Sequence, residues 1–107
     1  MAYDQVLADR VRKILQSEKI VEQEMFDGVG FLMNNTLVCG VQDEFLILNV
    51  GSDRFKEVLT HPQAKPFRPE GKSMPGCVMV KPVSTARDTD LAGWIRSGIE
   101  FVKDLPA

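Results

Sequence analysis

Leu7, Val11, Ile14 and Leu15 recur at the spacing of one helix face, with Asp9 and Lys13 as an i,i+4 pair opposite, so Asp4 to about Ser17 predicts an amphipathic helix capped by Asp4. From Val21 to Val50 the period changes to two. Val29, Phe31 and Met33, then Leu37, Cys39 and Val41, then Phe45 and Ile47 form alternating sets. Asn34-Asn35 and Asp43-Glu44, residues that tolerate turn geometry, separate them, which is the pattern of an antiparallel meander. Ser52 then caps a short helix through about Thr60, with Phe55, Val58 and Leu59 on its apolar face and His61-Pro62 at its end. Residues 62–76 contain four of the six prolines and two glycines, which excludes a regular helix and leaves a short extended piece near Lys65 to Arg68. Cys77 to Lys81 reads as a further strand closed by Pro82. The last element starts near Asp88 or Thr89 and places Leu91, Trp94, Ile95, Ile99 and Val102 at helical spacing, a helix with a Trp anchor. Helix, three strands, helix, one or two strands, helix is the order of an α+β domain with a mainly antiparallel sheet, not of a βαβ repeat.

Composition narrows this picture. A chain of 107 residues fits one compact domain spanning 1–107, and its 44% apolar residues suffice for a core without disulfides or metals. A net charge of -2 lacks the basic excess that drives nonspecific nucleic-acid binding, so nucleic acid is not an expected partner of this chain alone. There is no run of about 18 apolar residues, and the N-terminus MAYDQVLADR carries acids where a secretory signal places bases. The expectation is a cytoplasmic protein without membrane association.

Candidate chemistry is sparse. Gly28-Val29-Gly30 begins a dinucleotide fingerprint whose third glycine would fall at Met33, and Gly71-Lys72-Ser73 resembles the end of a phosphate loop whose opening glycine would fall at Pro66. Both motifs fail. Cys39 and Cys77 each lie in an apolar strand, where a thiol has a raised pKa, and read as small core residues. His61 is the sole histidine, so one Cys-His dyad is the most the chain can form; at a helix end it reads as a cation complementing the dipole. One His and two distant Cys lack the ligand number and spacing of a zinc site. Glu22 with Glu24 reads as a solvated strand face, Asp88 with Asp90 as helix capping, and the formal sequon Asn34-Asn35-Thr36 as a turn. No catalytic residue, cofactor or metal is expected. Charge is uneven, however: residues 18–57 hold eight acids and three bases, whereas Lys65, Arg68, Lys72 and Lys81 face Glu70 alone. That basic stretch is either a solvated loop or an anion contact, with Phe67 its one aromatic.

Met25-Phe26-Asp27-Gly28 before an apolar strand, Lys65-Pro66-Phe67, Met74-x-Gly76 before a strand and Leu91-x-x-Trp94-Ile95 in the last helix resemble the TfoX N-terminal domain (TfoX/Sxy) family, from Tyr3-Asp4 to about Val102. The resemblance implies a two-layer α+β fold of α-β3-α-β2-α order, with Lys65 to Arg68 as the fourth strand. Asp27 stands where the family more often has Gly; Asp tolerates positive φ better than most residues. Full-length members look like regulators of natural competence that act with the cyclic-AMP receptor protein and carry a second, C-terminal domain. This chain resembles a stand-alone N-terminal domain, so the competence role is not simply carried over and is left open. The resemblance supplies no catalytic residue, and Met25, Phe26, Gly28 and Gly76 read as packing and turn positions. The expected function is a non-enzymatic regulatory or protein-interaction domain with an unidentified protein partner; the alternative is a small-molecule or nucleic-acid binding module using the 65–81 loop.

The pattern also raises a question of cover. Phe45 and Ile47 occupy one alternation of their strand and Leu46, Leu48 and Val50 the other, so both faces of the sheet require burial. Helices of about 10 Å diameter against a five-stranded sheet about 24 Å wide mean that three helices cover one face only. If all lie on one side, the other face marks a partner surface, with a homodimer the simplest closed solution. If they divide between the faces, a monomer results.

Overall fold

In the computed structural model, which describes residues 3–71 and 74–105, Asp4 Oδ1 accepts the Leu7 N–H at 3.0 Å and so starts helix α1, Gln5–Leu15. Four strands follow: β1 (Val21–Met25), β2 (Gly28–Met33), β3 (Thr36–Gln42) and β4 (Phe45–Asn49). Their hairpins turn on residues with positive φ, Phe26 at 42° and Asp27 at 58°, then Asn34 at 52° and Asn35 at 64°, then Asp43 at 51°. Positive φ at both central residues matches the right-handed twist of the flanking strands. Helix α2 (Ser52–Val58), strand β5 (Ala64–Pro66), strand β6 (Cys77–Val80) and helix α3 (Asp88–Lys103) complete the order.

The α+β class is as expected, but the chain runs α-β4-α-β2-α and its sheet has six strands, not five. The unexpected strand is β1. Its sequence VEQEM has no apolar alternation, because an edge strand held by a single ladder and exposed from Val21 to Glu24 needs none. Gly51, at φ 84°, takes the N-cap position of α2 and Ser52 is its first helical residue, so the expected serine cap is absent. Asn49 Oδ1 instead accepts the Gly51 N–H at 3.2 Å, while its Nδ2 donates to the Leu37 carbonyl at 2.9 Å.

Strand order is β1-β2-β3-β4-β6-β5, with every pair antiparallel. Register puts Val29, Phe31, Val41, Leu46, Leu48, Val78 and Val80 on one face. Between β2 and β3 it shifts at Phe31/Leu32, so that Val38 is an extra residue on β3. Val38 and Cys39 therefore both enter the main core, and Leu37, expected beside Cys39 and Val41, moves to the opposite face.

All three helices pack on this one face: α1 through Leu7, Val11 and Leu15, α3 through Leu91, Ile95 and Val102, and α2 through half-buried Phe55, Val58 and Leu59. No described helix is long and apolar enough to cross a membrane. Arg10 ties the layer together by donating from Nη2 to the Thr85 and Ala86 carbonyls at 2.7 and 3.2 Å, and from Nε to Asp88 Oδ1 at 3.0 Å. Helix α3 approaches β3 closely at Gly98, where a Cβ would lie 2.6 Å from the backbone oxygen of Val38. At Gly93, in the same helix, a Cβ would meet nothing within 4 Å. One substitution therefore has opposite signs at two positions of one helix. Gly98→Ala lowers unfolding stability by about 1–3 kcal/mol, because overpacking against backbone outweighs the propensity gain. Gly93→Ala raises it by about 0.5–1 kcal/mol. Urea titration of the two variants is the check.

Candidate functional site

With the helices on one side, the other alternation of each strand forms a second cluster of buried Ile47, Phe67 and Cys77 with half-buried Phe26, Leu37, Phe45, Met74 and Met79. Gly30 and Gly40, paired across β2 and β3, leave a trough in this face. Met25 and Phe26 fill it: a Cβ on Gly30 would lie 2.4 Å from Met25 Sδ, and one on Gly40 2.8 Å from the Phe26 ring. Gln42 Nε2 donates to the Phe26 carbonyl at 2.7 Å and fixes the turn. From the other end of the sheet, Phe67 donates its N–H to the Cys77 carbonyl at 3.1 Å and its ring meets Phe26 edge to face at 5.0 Å. The chain thus draws a strap of two aromatics over its own helix-free face. The helices thus stand on one side, as the first of the two expected alternatives has them, and the strap adds partial cover on the other. The strap spares much of the face: Leu32, Leu37, Phe45, Met74 and Met79 stay half-buried, and Val21 is 66% exposed.

The four bases singled out in the sequence divide. Lys65 lies opposite Met79, and its Nζ is 5.9 Å from the centre of the Phe45 ring. Lys81 donates its N–H to the Gln63 carbonyl at 2.9 Å and follows Val80, so alternation places it on the face of Met79, diagonal to Lys65. Arg68 is exposed beyond Phe67, past the end of β5, and Lys72 lies outside the described residues. Of the three bases among the described residues, Lys65 and Lys81 therefore share a face and Arg68 lies beyond it.

Cys39 belongs to the helix-side cluster and Cys77 to the helix-free one, and both are free thiols. Burial raises both, Cys77 to about 11 from an ordinary value near 9. His61 follows the end of α2, where its Nδ1 accepts the Gln63 N–H at 3.1 Å and its ring meets that of Trp94 in a T-shaped arrangement at 5.0 Å. Trp94, read as the anchor of the last helix, is half-buried and packs against the main core.

His61 and Trp94 border an open cleft of about 420 Å³ that also meets Ser84, Thr89 and Asp90. Sequence reading missed this convergence because its residues come from three separate segments, each explained locally as a turn or a helix start. Among the described residues no hydrogen bond links His61 to Ser84 or Asp90, so the cleft holds no assembled nucleophile and base. Nor does any group of three or more His, Cys, Asp or Glu among them stand close enough to hold a metal.

The thiols give a direct test of the two-sided core. Both stay unreacted with a disulfide reagent at neutral pH until the protein unfolds, read by absorbance with and without denaturant. The unfolded chain releases the Cys77 proton first as pH rises, so stability from this group is complete below about pH 9 and lost through about pH 11. Comparison of the chain with protein-family models, with curated proteins and with solved structures gave no match.

Proposed function

We propose that the domain is a non-enzymatic regulatory and protein-interaction module that presents the helix-free face of its sheet to a partner. The observation that carries this reading is the segregation of all three helices to one side, which leaves Leu37, Phe45, Met74 and Met79 only half-covered on the other. Aromatic residues and methionine are the types enriched at protein interfaces, and a face without helices offers them at one level. A second copy of the chain is the simplest occupant, since one self-complementary patch closes on itself about a two-fold axis. The resemblance to the TfoX N-terminal domain family supports a regulatory role of the same kind. Two free thiols on opposite faces fit a reducing compartment, and we place the protein in the cytoplasm on that ground.

A second reading rests on Lys65 over Phe45, with Lys81 on the same face of the sheet, which would hold a phosphate and stack a base of a single strand. The net charge of -2 opposes it.

Sedimentation equilibrium at about 100 μM, above ordinary micromolar dissociation constants, shows self-association of the wild type. Leu37→Glu and Met79→Glu return the monomer with unchanged helix content. A strictly monomeric wild type defeats the homodimer and leaves the face to another protein. An oligonucleotide bound more tightly than about 10 μM at physiological salt would instead favour the second reading.

A further inference from the structure

We infer that strand β1, the free edge of the sheet, captures an extended segment of a partner protein that carries Lys or Arg at alternate positions, by adding it as a seventh strand. The inference concerns the edge and not the face, and stands on different residues from the proposal above.

The sheet has two edges, and only one is closed to further pairing. Strand β5 is three residues long, and one of them, Pro66, has no N–H to offer. Strand β1 is five residues long, contains neither Pro nor Gly, and pairs with β2 in unbroken register from Val21↔Leu32 to Met25↔Gly28. Its outer side is bare: Val21, Glu22, Gln23 and Glu24 are all exposed. The N–H and C=O groups that point away from β2 are thus a template for one more antiparallel strand.

The charges of β1 select the occupant. Glu22 and Glu24 lie opposite Phe31 and Val29, so both stand on the helix side of the sheet. Arg12 Nε holds Glu22 at 3.0 and 2.9 Å, whereas Glu24 has no ion pair among the described residues. No Lys or Arg is present on the strand. A second copy of β1 is a poor match. Antiparallel pairing about a two-fold axis normal to the sheet joins residues of equal parity, and three such registers overlap three or more residues. They set Glu22 against Glu24, Glu22 against Glu22, or Glu24 against Glu24, and like charges directly opposite are destabilising. A strand with bases at every second position reverses that sign. Its bases meet Glu22 and Glu24 on the helix side. Its intervening side chains continue, on the other side, the row that runs Val21, Leu32, Leu37 across three strands. The acids that stop self-pairing are therefore also the recognition element for a basic strand.

The test uses the whole chain, isotope-labelled, with a capped heptapeptide Thr-Lys-Val-Lys-Val-Lys-Thr as probe. Two controls accompany it: the same peptide with Glu for Lys, and the Lys peptide N-methylated at alternate residues. The Lys peptide gives saturable amide shifts over residues 20–25 with a Kd below about 1 mM. Glu24→Lys, at an exposed position that leaves the fold intact by its unchanged spectrum, weakens binding at least about tenfold. N-methylation, which removes main-chain donors while keeping every charge, abolishes it. Absence of saturable binding, shifts centred on other elements, or equal binding of the Glu or N-methylated peptide overturns the inference.

Discussion

Leu46, Ile47 and Leu48 follow one another in β4 and all three are fully buried, which a strand achieves only when both its faces are covered. Leu46 and Leu48 pass this demand to the helices, and α1, α2 and α3 answer it together. Ile47 passes it to the side without helices. There the domain has only turns and loops to use, and Phe26 and Phe67 are the side chains large enough to reach over β3 and β4. At about 25 cal/mol per Å² of apolar surface, a fully buried ring such as Phe67 contributes roughly 2–3 kcal/mol, and half-buried Phe26 less. Phe26 has an opposing term of about 1–2 kcal/mol, because a bulky residue sits at φ 42°. The turn keeps that conformation because the ring has a trough to fill and the carbonyl has Gln42 to accept from.

Where a residue's environment is set by its neighbours in the chain, the sequence was sufficient. Asp4 as a cap, the turns at Asn34-Asn35 and Asp43-Glu44 and the apolar stripes of α1 and α3 are local matters of spacing and side-chain type. Three features were not legible, each for a physical reason. Strand β1 buries almost nothing, so no hydrophobic period marks it. The extra residue at Val38 reverses the facing of Leu37, and a shift of one position in register has no signature in composition. Phe67, buried in a stretch full of proline, read as a lone aromatic among bases because its partner Phe26 lies far away in the chain. The candidate surface shared this fate. That both alternations of β4 need burial could be read directly, but what covers the second could not.

The bulge and Gly98 belong to one arrangement. An extra residue at Val38 turns its side chain and the following Cys39 toward the helices, and its carbonyl toward α3, where only a missing Cβ leaves room. The helix can then lie low enough for Leu91, Ile95 and Val102 to reach the sheet. An approach this close to backbone leaves the helix half of the molecule little room for repacking at this point.

The other half is invisible to the usual optical probe. Trp94, the one tryptophan, sits on the helix layer with the ring of His61 set across it in a T. Its emission changes when that layer loosens and is silent when the strap between Phe26 and Phe67 lifts from the opposite side of the sheet. A molecule with Ile47 uncovered and its helices in place would pass as native in any fluorescence-monitored melt. Partial openings of this kind have free energies well below that of global unfolding. Such a molecule would expose apolar sheet to its neighbours in solution, so loss of material to aggregation can begin at temperatures where the tryptophan signal has not yet moved.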